Sequence, residues 1–141
     1  MRHKLILTHP SGKLSMGPPL GPAFGSRGLK AIDFVKQFTA KTAHFEDKVP
    51  LKCEISIDPK AKTFDFVVKS PSTSYLIKKC IGLEKASQKG EIVAEISTKE
   101  IYHIAEVKLQ SDPSLLKKFT HQGLCKSIVG SCRGMGIKVV E

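Results

Sequence analysis

Read as a helix from about Thr120 to Arg133, the chain near its end sets Gly123, Lys126, Ser127, Gly130, Arg133 and the following Gly134 on one face. Cys125, Ile128, Val129 and Cys132 fall on the other face, as small and aliphatic side chains suited to a core. Two cations set among small residues suit a phosphate backbone. Lys126 and Arg133 meet phosphates, while Ser127 and Ser131 offer hydroxyls to phosphate oxygens or a 2′-OH, so that shape is read rather than base identity. A glycine inside a helix is about 1 kcal/mol less favourable than alanine, so Gly130 asks for a compensating close approach of another backbone. The spacing leaves two such backbones open: a nucleic acid, or a second helix packed tightly on Gly130 with Lys126 merely solvated.

A second segment of unusual chemistry runs from Met16 to Gly28 and contains Pro18, Pro19, Pro22 and four glycines. That composition is too stiff and kinked for an ordinary helix interior and predicts an exposed, pre-shaped loop, either a plain connector or a surface that binds a partner with little ordering cost. Within it, Gly25-Ser26-Arg27-Gly28 is a basic G-x-x-G, the element with which KH domains clamp a nucleic-acid backbone. The prolines stand where a KH domain has the helix leading into that loop. Lys78, Lys79, Lys85 and Lys89 make a further basic run, fitted equally by solvated helix ends and loop.

Catalytic patterns are sparse. The chain has no G-x-S-x-G, no phosphate-binding G-x-x-x-x-G-K, no H-E-x-x-H, and no Cys and His in a recognised nucleophile context. The four cysteines contain no C-x-x-C pair, and the five histidines lack ligand spacing, so neither a metal nor a cofactor is expected.

The elements that must hold these segments divide near Ser70-Pro71. Before it, Leu51, Cys53, Ile55 and Ile57 alternate with polar residues. Phe64, Phe66 and Val68 do the same after the connector 58–62, which predicts an antiparallel hairpin. Leu5 to Thr8 supplies a third strand, and Ala31, Phe34, Val35 and Phe38 form the inner stripe of a covering helix. After it, one helix carries Leu76, Ile77, Cys80 and Ile81 inward and ends near Gly82. Ser97-x-x-Glu100 is a capping box that opens a helix with Ile101, Ile104, Ala105 and Leu109 inward, and Ile137 to Val140 closes the chain as an extended segment. The predicted class is α+β: a small N-terminal domain (1–69) of antiparallel sheet plus helix, followed by an all-helical C-terminal domain (70–141).

The formal charge of +10, from 23 Lys and Arg against 13 Asp and Glu, favours a polyanionic partner. Each half is basic, with 12 cations to 6 anions through Lys69 and 11 to 7 beyond, so the polyanion could touch both. No apolar run approaches the roughly 18 residues of a membrane span, and no secretory signal core is readable.

Three blocks in order, GPPLGPAFGSRGLKAIDFVKQFTAKT from Gly17, KSPSTSYLIKKCIG from Lys69 and SIVGSCRGMGIKVV from Ser127, resemble the large-subunit ribosomal protein eleven family over nearly the whole chain. The resemblance implies an N-terminal α/β domain joined by a short hinge to a C-terminal domain that binds the rRNA of the GTPase-associated centre. In that family the last helix and neighbouring loops hold a compact RNA, which maps onto Gly130, Ser131 and Arg133. With the basic residues above, the candidate RNA-binding set is Lys78, Lys79, Lys89, Lys126, Ser127, Gly130, Ser131 and Arg133. Thiopeptide antibiotics bind a cleft in the family at positions matching Pro18, Pro19 and Pro22, and its implied partners are the stalk ribosomal proteins and elongation-factor GTPases. Cys80-Ile81, Ser131-Cys132 and Gly134 depart from the usual bacterial pattern. GPPLGP, GLEKAS from Gly82 and EIYHIAEVK from Glu100 are more similar to mitochondrial members, which implies a mitochondrial ribosome, with the bacterial cytoplasm as the alternative. No Arg-rich, Ser-rich transit peptide is readable before the first strand.

Overall fold

A computed structural model describes residues 2–12 and 20–141. The chain forms two compact units, Met1–Lys69 and Ser70–Glu141. In the first, β1 (His3–Pro10), β2 (Pro50–Asp58) and β3 (Thr63–Lys69) make an antiparallel sheet in that order. The register sets Leu5 opposite Ile55 and Ile55 opposite Phe66, so the inward residues of all three strands share one face. Asp58 shapes the hairpin: its carboxylate accepts from the Lys60 and Ala61 amides, which holds its carboxyl below the usual range.

Two helices cover that face, α1 (Leu20–Gly25) and α2 (Ala31–Lys41). Their fully buried Leu20, Phe24, Phe34 and Phe38 share the core with the equally buried Leu51, Cys53, Ile55 and Ile57. The core is aromatic, with Phe34 centred 5.1 Å from Phe24 and 5.0 Å from Phe66. The hairpin, the β1 strand and the covering helix lie where the alternation and the 3.6-residue period put them. The segment predicted as loop is partly helical instead. Pro22 sits in the first turn of α1, where its missing N–H leaves no bond unmade. Pro18 and Pro19 lie outside the described residues.

The second unit departs from the all-helical expectation. Besides α3 (Thr73–Ile81), α4 (Thr98–Ser111), a 3-10 turn (Pro113–Lys117) and α5 (His121–Gly134), it contains a two-stranded parallel sheet, β4 (Ala94–Ser97) with β5 (Ile137–Val140). Ala-Glu-Ile-Ser is too short to show a period, and the partner that makes it a strand lies some forty residues on in the chain. The core joins Ile77, Ile96, Ile101, Ile104, Ala105, Leu124, Ile128, Cys132 and Ile137. Ser97 caps α4 as the sequence predicts: its Oγ accepts from the Glu100 amide at 3.3 Å, and Glu100 Oε2 accepts from the Ser97 amide at 2.8 Å. Cys80, expected inward, is exposed, because the gap between α3 and α4 is left as a groove that it lines with Leu76 and Val107.

Candidate nucleic-acid interface

The geometry of α5 follows from its two faces. Thr120 caps the helix, its Oγ1 accepting from the Gly123 amide at 3.1 Å. Leu124, Ile128 and Cys132 are buried in the core, and Cys125 and Val129 pack partly against it. The opposite face presents Lys126, Ser127, Gly130, Arg133 and Gly134 to solvent. Ser131 is half-buried at the border, and its Oγ donates to the Ser127 carbonyl at 3.2 Å, so this hydroxyl is engaged by its own helix.

Gly130 separates the two backbones that the sequence left open. A Cβ built there meets nothing within 4 Å, and the same holds at Gly134. No described helix packs on Gly130, so its helix-weakening flexibility brings nothing inside the molecule. The bare backbone there faces outward, between the exposed cations Lys126 and Arg133.

The remaining candidates divide into two groups. Lys89 is exposed in the connection between α3 and β4, a loop that lies against the C-terminal end of α5. There a groove of about 310 Å³ is lined by Gly90 and Ile92 from the loop and by Arg133, Gly136 and Lys138 from the chain's end. Lys78 and Lys79 stand on α3, and Lys79 lines the separate groove with Cys80 and Glu100. Lys138 and Gly136 were absent from the sequence-derived set. Lys138 stood in a strand read only as an ending, whereas Gly136 could have been noticed from the close spacing of Gly134 and Gly136 around Met135.

In the first unit, Pro22 is exposed on α1. The G-x-x-G has a different role from a backbone clamp. The amides of Ser26, Arg27 and Gly28 donate to the carbonyls of Pro22, Phe24 and Gly25, and the Arg27 guanidinium donates to the Ala23 carbonyl at 2.6 Å. Donors already engaged in closing a helix are not available to phosphates, which removes the basis of the KH reading.

The cysteines are free, and burial raises the Cys132 thiol and pushes Cys53 up to about 12, as inert apolar packing requires. Among the described residues no cluster of three or more His, Cys, Asp or Glu is placed to hold a metal, and no helix is long and apolar enough to cross a membrane.

Comparison with known proteins covers both units. The model of "Ribosomal protein L11, N-terminal domain" matches residues 5–64, and that of "Ribosomal protein L11, RNA binding domain" matches residues 69–139. The chain is 45% identical to the "Large ribosomal subunit protein uL11m" of Schizosaccharomyces pombe, covering 97% of this chain and 93% of that one. Proteins of the same name from Drosophila melanogaster (34%, covering 98% of this chain and 70% of the relative) and Reclinomonas americana (39%, 92% and 88%) are also similar. With both halves matched in order and mitochondrial relatives aligned over most of its length, the chain belongs to the ribosomal protein L11 family, as a structural constituent of the large ribosomal subunit of the mitochondrion rather than an enzyme.

Proposed function

We propose that the second unit anchors this protein on the compact folded rRNA of the GTPase-associated centre, through the solvent face of α5 and the loop that carries Lys89. One observation carries the reading: the bare backbone at Gly130, flanked by exposed Lys126 and Arg133, has open space in front of it while the opposite face of α5 is committed to the core. Such a surface admits a phosphate backbone to van der Waals distance and holds it by charge and shape. Lys78, Lys79 and Ser127 extend the contact, and Ser131 Oγ, whose hydrogen goes to the Ser127 carbonyl, adds an acceptor for a 2′-OH. We assign Pro18, Pro19 and Pro22 to a factor and antibiotic cleft, with the elongation-factor GTPases and the stalk ribosomal proteins as partners of the first unit.

The test is binding of the full chain to a folded GTPase-centre rRNA fragment, with an unstructured RNA of equal length as control. Selective binding of the folded fragment is expected, with log affinity falling linearly in log salt, and Lys126→Ala lowers that slope by somewhat less than one. Equal, weak binding to both RNAs would reduce the chain to a generic basic module and sink the proposal.

A further inference from the structure

Gly136 differs from the glycines of the α5 surface in being enclosed. Its φ is +74°, in the region that side chains rarely adopt, and a Cβ there would stand 2.3 Å from the Glu91 carbonyl oxygen and 2.6 Å from the Ser87 Cβ. Both neighbours belong to the loop between α3 and β4. Two hydrogen bonds fasten that loop to the same turn: the Ser87 amide donates to the Met135 carbonyl at 3.0 Å, and the Val93 amide to the Gly136 carbonyl at 2.8 Å. The groove between the loop and the end of α5 has Gly90 and Ile92 on one side and Arg133, Gly136 and Lys138 on the other.

We infer that Gly136 is a positioning residue for RNA recognition: by admitting the loop backbone where any side chain would stand, it seats Lys89 and Gly90 beside Arg133 so that loop and helix meet the RNA as one surface. The inference rests on the RNA-anchoring role proposed above. Its physical basis is steric. An alanine at this position meets a backbone carbonyl, which cannot rotate away as the end of a side chain could, so the loop must lift. Lifting breaks the hydrogen bonds of Ser87 and Val93 to the α5–β5 turn and carries Gly90, with Lys89 next to it in the chain, away from Arg133. Gly136 itself need not touch the RNA.

The experiment is a double-mutant cycle on the full chain, read by affinity for the folded GTPase-centre fragment. Gly136→Ala is expected to weaken binding about ten-fold or more, equivalent to about 1.4 kcal/mol, and to make a further Lys89→Ala change nearly silent, although Lys89→Ala alone weakens wild-type binding. Ser87→Pro, which deletes the loop-side amide without touching α5, serves where Gly136→Ala fails to fold, and it should silence Lys89→Ala in the same way. Multiplicative, independent effects of the loop variant and Lys89→Ala, or wild-type affinity in Gly136→Ala, would overturn the inference while leaving the anchoring role intact. A wild-type chain that does not distinguish folded from unstructured RNA would instead defeat the anchoring role itself.

Discussion

The two units place their most restrictive packing at opposite ends of the size scale. In the first, the covered face of the sheet is filled by Phe24, Phe34, Phe38 and Phe66, whose rings lie against one another. In the second, Ile, Leu, Ala and Cys side chains fill the core, and the most enclosed of its described glycines is Gly136, where a loop closes on the end of a helix. An aromatic core spends its large side chains on holding the fold. A small-residue surface leaves backbone bare, as at Gly130, where a rigid external partner can come close. The contrast teaches that within one family member the first unit is built around bulk and the second around its absence, and that stability and recognition should respond differently to substitution in each.

The largest expected effect tests the bulky side of that contrast. Phe34→Ala should lower the stability of the first unit by about 3–5 kcal/mol, seen as an early transition in urea denaturation of the full chain, while affinity for folded RNA is retained. Loss of RNA binding together with the first transition would show that the units do not divide the work as proposed. At Gly130 the expected direction is reversed. Gly130→Leu should weaken binding to the folded fragment by about ten-fold or more, or roughly 1.4 kcal/mol, with the helical circular dichroism unchanged. Gly130→Ala should raise the stability of the RNA-free protein by about 0.5–1 kcal/mol, because open space lies where its methyl would go and alanine favours helix. A Gly130→Ala chain that is less stable when free would mean that a packing constraint, not a partner, keeps the glycine.

The smallest effect concerns pH and sharpens the account of the aromatic core. His9 is buried against Phe34 and Phe38, with both ring centroids 6.2 Å away, and its Nε2 lacks a hydrogen-bond partner among the described residues. Burial therefore lowers its pKa from the ordinary 6.5. The unfolded chain takes up this proton first, so the His9 contribution leaves stability unchanged above pH 6.5 and diminishes it as pH falls below that value. Urea denaturation between pH 8 and 5.5 should show that slope in the first unit, and His9→Leu should flatten it. An equal slope in His9→Leu would assign the pH dependence to other groups.

The period-2 runs of β2 and β3, the 3.6-residue stripes of α2 and α4 and the Ser97–Glu100 capping box were all legible in the sequence, because each is a local pattern complete within a dozen residues. The polar face of α5 was legible too, since a single helix fixes which residues share a side. Cys80 was misplaced by the same logic: the stripe gives the side of α3 that turns inward but not how closely α4 approaches its edge.

Three matters were settled only by long-range contacts. The Ala94–Ser97 segment is a strand because Ile137–Val140 lies beside it, and nothing in four residues announces a partner so distant in the chain. Gly130 and Gly136 are the same residue type six positions apart, and the sequence draws attention to Gly130, inside a helical pattern, but passes over Gly136. The one faces open space and the other a carbonyl 2.3 Å from where its Cβ would be. Composition and periodicity determined the basic charge and the longer helices and strands with most of their buried residues, since these depend on neighbours along the chain. Which glycine faces open space and which lies against a loop was decided by the tertiary structure, because open and occupied space around a backbone are properties of what folds against it.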